Sequence, residues 1–221
     1  MDTYISFEGK QLAASSFEKN WFWFFEQAFT KEQVAEIRSL CERVEEVDAM
    51  TESGEEPDFL VRNNKISWHD TEELYALVRP VMHQVNAQAG WNYSITAIEP
   101  VQYTIYYGTE NNHYSWHTDT IVNDIQHEGV MKDTVRKISC SILLSDPSEY
   151  EGGEFEFLTL NNREYLKEKK DIFDGEPIGI PNFYNEGAAL FFPSYSFHRV
   201  KPVTKGVRQS LVCWFRGPKW V

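Results

Sequence analysis

The sequence predicts an α+β fold in which helices back one sheet of a two-sheet jelly roll. Apolar residues recur at helical spacing before residue 94, and from Ser94 onward they fall in short runs broken by turn residues. The chain of 221 residues is long enough for a full hydrophobic core and carries no repeat, low-complexity tract or inter-domain linker. The expected organisation is one domain over 1–221, with a helical support region at 1–93 and a jelly-roll core at 94–221.

Residues 1–29 hold the aromatic cluster Trp21-Phe22-Trp23-Phe24-Phe25, read as a buried strand or packing segment rather than an aromatic ligand box. Thr30 with Gln33 makes a capping box and Phe29 can staple onto Val34, so a helix opens there. Val34, Ile37, Leu40, Cys41, Val44 and Val47 continue it until the acidic, turn-rich 51–58. Residues 59–68 form a short strand or hairpin with Asn63-Asn64 at its tip. Arg62 and Trp68 could face substrate there, but surface charge and core aromatic are the simpler readings.

A second helix should start at Asp70, capped with Glu73, and carry Leu74, Leu77, Val78, Val81, Met82 and Val85. Pro80 should kink or split it, and Gly90 should stop it. Strands are expected over 94–99, 101–107, 115–119, 137–145, 154–160 and 188–192. The insertion 161–187 is long, charged and punctuated by Gly and Pro, which suggests a lid over the site.

The formal net charge is −13, from 34 acidic and 21 basic residues. That argues against partners such as nucleic acid or anionic membrane, which need clustered Lys and Arg. It is compatible with a basic protein substrate, although an acidic surface more simply serves solubility. Cys41, Cys140 and Cys213 are odd in number, widely spaced and in apolar surroundings. They read as reduced core residues rather than a disulfide or zinc site. The N-terminus lacks a basic and apolar leader pattern, and no apolar run reaches membrane length. The expectation is a soluble, cytoplasmic protein of unassigned oligomeric state.

The chemistry centres on His117-Thr118-Asp119. Side chains two residues apart share one face of an extended strand, so His117 and Asp119 can hold one metal together. His198 is the best third ligand. Two His and one carboxylate leave coordination positions open, as in the facial triad of non-haem Fe(II) oxygenases. Residues 197–203 and 207–215 flank Thr204-Lys205-Gly206 and read as an antiparallel hairpin. With Lys205 at its centre, Arg208 would oppose Pro202, roughly 13 Å from the level of His198. An extended Arg and a five-carbon diacid, each on the order of 6 Å, fill that gap. A guanidinium suits a bidentate carboxylate contact better than Lys does. His69, His83, His113 and His127 read as solvated residues. Gly152-Gly153 is followed by no Lys-Ser/Thr or helix start, so it reads as a bend in a sheet rather than a phosphate loop.

Together, HxD at 117–119, YEGGE at 150–154 and FHRVxPVxxGxRxSLxxW at 197–214 resemble the prolyl 4-hydroxylase-like Fe(II)/2-oxoglutarate-dependent oxygenases. The pattern especially resembles that of the bacterial PKHD-type hydroxylases, over about residues 94–218. The resemblance implies a double-stranded β-helix (jelly roll, cupin-like) with N-terminal helices packed on one sheet. It implies that His117, Asp119 and His198 hold Fe(II) and that Arg208 holds the far carboxylate of 2-oxoglutarate. Tyr106 lies beside the cosubstrate in this match, or Tyr107 if the match shifts by one residue. Tyr114 and Trp214 resemble pocket-wall aromatics. Leu143 stands where some prolyl hydroxylases place a Tyr, leaving Ser210 or Ser141 as the hydroxyl that could supplement Arg208.

The implied cofactors are Fe(II), 2-oxoglutarate as cosubstrate and O2, with ascorbate a further candidate. The implied reaction yields succinate and CO2 while an unactivated C–H bond is hydroxylated, and the carboxylate of Asp119 favours hydroxylation over halogenation. The first implied substrate is a prolyl residue of a protein or peptide; the second is a free amino acid or small metabolite. Repair of alkylated nucleic acid is disfavoured by the acidic charge. A non-catalytic jelly-roll binding module is disfavoured by the complete residue set.

Overall fold

A computed structural model describes residues 20–50, 58–120, 129–159 and 185–220, together with Phe183 and the strand segments 5–7, 10–12 and 176–179. In chain order the elements begin with β1 (Ile5–Phe7), β2 (Lys10–Leu12), β3 (Trp23–Phe25), α1 (Lys31–Cys41), β4 (Val47–Asp48), β5 (Arg62–Asn63), β6 (Lys65–His69) and α2 (Glu72–Gln88). Then come β7 (Ala97–Ile98), β8 (Val101–Tyr107), β9 (His113–His117), β10 (Thr134–Leu143), β11 (Tyr150–Gly152) and β12 (Phe155–Thr159). The series closes with β13 (Glu176–Gly179), β14 (Ala189–Pro193), β15 (His198–Val200) and β16 (Val203–Pro218).

These strands build a double-stranded β-helix. The larger sheet runs β3-β14-β10-β16-β8-β6-β4, with β7 and β11 also paired to β16; the smaller runs β13-β12-β15-β9-β5. Strands β8, β10, β14 and β16 lie in the larger layer and β9, β12 and β15 in the smaller, so the chain repeatedly crosses between layers. Strands before residue 94 also join the sheets: β3, β4 and β6 enter the larger and β5 the smaller.

Side-chain alternation divides the larger sheet into two faces. Val101, Tyr103 and Ile105 of β8 and Leu211, Cys213 and Phe215 of β16 form one core with Val34, Ile37, Leu74, Val78 and Met82 of the helices. Gln102, Thr104 and Tyr106, with Arg208, Ser210, Val212 and Trp214, line a cavity on the opposite face. Burial on both faces explains why β8 carries no exposed residue. The three cysteines are buried and unpaired. Among the described residues no helix is long and apolar enough to cross a membrane.

Both bonds of the expected capping box are present at α1, between Thr30 and Gln33. The helix ends at Cys41, however, and Val44 and Val47 are exposed beyond it. Thr71 rather than Asp70 occupies the N-cap position of α2, without a side-chain capping bond; Asp70 instead accepts a hydrogen bond from the Tyr75 hydroxyl at 2.7 Å. Pro80 lies on the exposed side of a helix that continues past it, because Leu74, Val78, Met82 and Val85 anchor both halves in the core. Gly90, at φ +76°, follows its end as expected.

Two expected hairpins are crossovers instead. Residues 59–68 send β5 to the smaller sheet and β6 to the larger. Likewise, β15 pairs with β9 and β12, whereas β16 starts at Val203 and pairs with β8 and β10. Arg208 therefore opposes Tyr106, not Pro202. Thr204-Lys205-Gly206 lies within β16, where Gly206 at φ +70° pairs with Tyr150 of β11 and a side chain would strike the Glu149 carbonyl. Strand composition favours extension but does not choose the partner, and a glycine at positive φ serves a bulge as well as a turn. The expected lid at 161–187 lies largely outside the described residues.

Candidate active site

Two short strands and the segment after one of them bring the three expected metal-binding side chains together. His117 ends β9 and His198 opens β15, and the two residues are directly paired in the smaller sheet. Asp119 lies beyond the end of β9, so it does not share a strand face with His117 as expected. The amides of Asp119 and Thr120 instead donate to the Ser194 carbonyl at 2.9 and 3.0 Å, which turns the chain and aims the carboxylate back. One ligand atom from each of the three residues lies within 4.8 Å of the others. Each Nε2 is 3.7 Å from an Asp119 carboxylate oxygen.

The hydrogen bonds fix which ring nitrogens are free. His117 Nδ1 bonds the Ser115 carbonyl at 2.8 Å and His198 Nδ1 the Ser196 carbonyl at 2.9 Å. A carbonyl can only accept, so each Nδ1 carries a proton and each Nε2 is the ring nitrogen turned toward Asp119. The rings are held by stacking, His117 on Tyr114 with centroids 3.5 Å apart and His198 on Phe155 at 5.2 Å. Burial, reinforced by the charge of His198 and opposed by that of Asp119, pushes His117 down to about 3, which keeps it a neutral donor. Burial pushes the Asp119 carboxyl up, but His198, His117, Arg136 and the Ser139 hydroxyl outweigh it and hold the group below its ordinary value. Two imidazole Nε2 atoms and one carboxylate converging on one point fit a divalent iron.

A cavity of about 280 Å³ opens from this cluster, and Arg208 lies in it. Its guanidinium is 1% exposed; one nitrogen donates to Ser210 Oγ at 3.4 Å, and Nε has no partner. Among the described residues no carboxylate pairs with it. A desolvated, uncompensated charge costs several kcal/mol, so this one fits an anionic ligand such as the far carboxylate of 2-oxoglutarate. Tyr106 pairs with Arg208 in register and its ring lies 5.4 Å from the guanidinium carbon. Tyr107 faces the other way, its hydroxyl on Glu46, so of the two it is Tyr106 that lines the cavity.

Trp214 and Tyr114 line the same cavity, as do Ser210 and Ser141. The Trp214 indole N–H is buried without a partner. Leu143 opposes Ser210 in register but belongs to the inter-sheet core. Gly153, in the YEGGE stretch, has a local role beyond bending the sheet. At φ +70°, a Cβ there would lie 2.7 Å from Arg208 Cδ, so its absence makes room for that side chain.

Several residues escaped the sequence reading. Arg62, read as surface charge, is 8% exposed and lines the cavity with Gln102 and Thr104. Arg136 also lines it, gripped by Glu99 at 2.8 and 2.6 Å, while Arg216 donates to the same Glu99 oxygen as the Arg136 Nε. Alternation along β8 could have flagged Gln102 and Thr104, since they share a face with Tyr106. His69, expected in solvent, is buried with its Nε2 on Ser67 Oγ at 2.8 Å, and burial lowers its pKa. His127 lies outside the described residues.

Known proteins agree with this geometry. The family model of the 2OG-Fe(II) oxygenase superfamily matches residues 101–216. A PKHD-type hydroxylase of Janthinobacterium sp. (strain Marseille) is 29% identical over 194 residues, covering 85% of this chain and 75% of the relative. One of Verminephrobacter eiseniae (strain EF01-2) is 34% identical over 110 residues, 49% of this chain and 40% of the relative. Among solved structures, a Pseudomonas putida prolyl-4-hydroxylase superposes with TM-score 0.63 at 18% identity, covering 90% of this chain and 94% of that one. A prolyl hydroxylase from Trichoplax adhaerens, in complex with a hypoxia inducible factor oxygen degradation domain peptide fragment, gives 0.61 at 19% identity, over 89% and 83% of the chains. The structures attest the jelly roll. With the family model spanning the strands that carry the triad and Arg208, the chain belongs to the 2OG-Fe(II) oxygenase superfamily and is a 2-oxoglutarate-dependent dioxygenase using Fe(II) and O2.

Proposed function

We propose that the protein hydroxylates an unactivated C–H bond of a prolyl residue in a protein or peptide. In this reading His117, Asp119 and His198 hold Fe(II), and Arg208 holds the far carboxylate of 2-oxoglutarate. The observation that carries it is the unpaired, buried guanidinium of Arg208 in the same cavity as the three converging ligands. When bound, the iron and cosubstrate supply the oxidising chemistry, with 2-oxoglutarate converted to succinate and CO2 as O2 is consumed.

The chain's own residues orient and shield. Ser115 and Ser196 carbonyls fix the tautomers of the two histidines, so each presents Nε2 without rearrangement. Asp119 would supply the single negative charge of the ligand set, and three protein ligands would leave room at the ion for cosubstrate and O2. Arg208 fixes the cosubstrate by its far end through a charge-assisted contact. Tyr106, Tyr114 and Phe155 exclude water from the space between. The Pseudomonas putida prolyl-4-hydroxylase and the peptide complex of the Trichoplax adhaerens prolyl hydroxylase, both of like fold, support a prolyl substrate. A second reading, hydroxylation of a free amino acid or small metabolite, is favoured by the additional buried guanidinium of Arg62.

The test is a screen of purified protein with Fe(II), 2-oxoglutarate and ascorbate against prolyl peptides and free amino acids, reading succinate and product mass. A peptide product one oxygen heavier supports the first reading, and such a product from amino acids alone supports the second. Absence of both succinate and the visible charge-transfer band of the anaerobic iron–cosubstrate complex defeats both.

A further inference from the structure

Among the described residues, Arg62 is the second buried guanidinium of the cavity without a carboxylate. Its Nε donates to Asn64 Oδ1 at 2.9 Å and one Nη to Gln102 Oε1 at 2.6 Å, both neutral amides. Its guanidinium carbon lies 4.5 Å from the centre of the Tyr114 ring, the ring that stacks on His117. An arginine has five N–H donors, so among the described residues most of them are left without a hydrogen-bond partner and the charge without a carboxylate. The contrast with other arginines is sharp: Arg38, Arg79, Arg136, Arg199 and Arg216 each pair with a Glu.

The hydrogen bond to Gln102 places the Arg62 guanidinium at a different level of the larger sheet from Arg208. Arg208 is level with Tyr106, whereas Gln102, which holds Arg62, is level with Val212. Four residues of strand separate those levels, roughly 13 Å. Trp68 pairs with Gln102 and is 44% exposed, and Met50, 40% exposed, lies beside them in the lining. The Arg62 end is therefore the mouth. A cosubstrate anchored by Arg208 directs its other carboxylate at the triad, so Arg62 remains for a different anion.

We propose that Arg62 receives a carboxylate of the substrate, and hence that the hydroxylated ring belongs to a molecule with a free carboxylate on or next to it, either a free imino acid or a C-terminal prolyl residue. This rests on the oxygenase reading of the cavity. Bidentate pairing with a planar carboxylate completes the donors that Asn64 and Gln102 leave over. The apolar walls of Trp68, Met50 and Trp214 cover the ring beside it. The alternative, a strut tying β5 to β8, needs the two neutral hydrogen bonds but not the unanswered charge.

The experiment uses the full chain with Fe(II), 2-oxoglutarate and ascorbate, and two matched pairs of probes: L-proline with L-prolinamide, and N-acetyl-glycyl-proline with its C-terminal amide. The acid of at least one pair should give product one oxygen heavier with kcat/KM at least about tenfold above its amide, a modest return for a charged hydrogen bond. Which pair responds tells the free imino acid from the C-terminal residue. Arg62→Gln should bring the acid down to the level of the amide while leaving KM for 2-oxoglutarate within about twofold, and Arg62→Lys should restore part of the preference. Equal turnover of acid and amide by the wild type overturns the proposal, as does a preference that survives Arg62→Gln or a rise in KM for 2-oxoglutarate in its place. A capped internal prolyl peptide hydroxylated as well as the acids overturns the role of Arg62 but leaves prolyl hydroxylation standing. No product from any probe defeats the proposal even where succinate release shows the oxygenase intact.

Discussion

Arg136 and Arg208 lie on the paired strands β10 and β16, line one cavity and are both buried or nearly so, yet they are built differently. Arg136 is gripped by both oxygens of Glu99, donates to the Asp119 carbonyl at 3.4 Å and lies 4.0 Å over the Trp214 ring. Arg208 has Ser210 Oγ and an unpartnered Nε. A buried charge with its counterion supplied by the fold holds structure in place; one whose counterion is missing marks where a ligand must bring it. The cavity thus has a scaffold side, tied through Arg136 to the main chain of Asp119, and a binding side.

The comparison can be broken most forcefully at the ligands. Asp119→Ala or His198→Ala should abolish iron binding and lower succinate formation by more than about 100-fold, beyond what loss of a supporting hydrogen bond does to a metal site. Iron content and succinate release check this; retention of both would show that the cluster is not the metal site. Next in size, Glu99→Ala should destabilise the fold by about 3–5 kcal/mol, because it leaves the guanidiniums of Arg136 and Arg216 buried and uncompensated. Arg208→Met should do the reverse, raising KM for 2-oxoglutarate by about 30–100-fold through the lost charged contact while leaving the unliganded melting temperature unchanged or higher. If Arg208→Met destabilises as Glu99→Ala does, the distinction between the two sides is wrong.

A smaller effect sharpens it further. Gly153→Ala places a methyl against Arg208 Cδ and Val203 Cγ2, at 2.7 and 2.9 Å, on a backbone at φ +70°. The side chain must shift, so KM for 2-oxoglutarate should rise about tenfold, with a stability loss on the order of 1 kcal/mol from the strained φ. Steady-state kinetics and a denaturant melt separate the two.

The readability of the sequence divides along a similar line. His117, Asp119, His198 and Arg208 could be picked out because their residue types and joint spacing form a motif, and Thr30 with Gln33 because capping is local. Strand existence was also readable, with 101–107 matching β8. Partner choice was not, since the pairing of β16 with β8 rather than β15 is decided by packing between layers. Arg62 could be weighed as facing substrate but not chosen over surface charge, because its partner Gln102 lies 40 positions further along the chain. Glu99 and Arg136 likewise look like two ordinary surface charges until the sheet brings them together.

The smallest effect concerns pH and again sets the two sides apart. Burial pushes the Glu99 carboxyl up, but the hydrogen bonds and charges of Arg136 and Arg216 outweigh it and hold the group below the ordinary 4.5. A carboxylate held lower in the folded than in the unfolded chain releases its proton more readily when folded. Its contribution to stability is complete above about 4.5 and drains away as pH falls through the folded value. Urea melts from neutral to about pH 3 should therefore show the wild type losing stability below about 4.5 more steeply than Glu99→Gln, which has no proton to take up. Above that value the two curves should run parallel, displaced by the lost ion pairs. Arg208→Met, which removes no native ion pair, should follow the wild-type slope throughout. Parallel wild-type and Glu99→Gln curves across the acid range would mean that the Arg136–Glu99–Arg216 cluster does not hold its carboxylate ionised, and the scaffold side would lose its electrostatic basis.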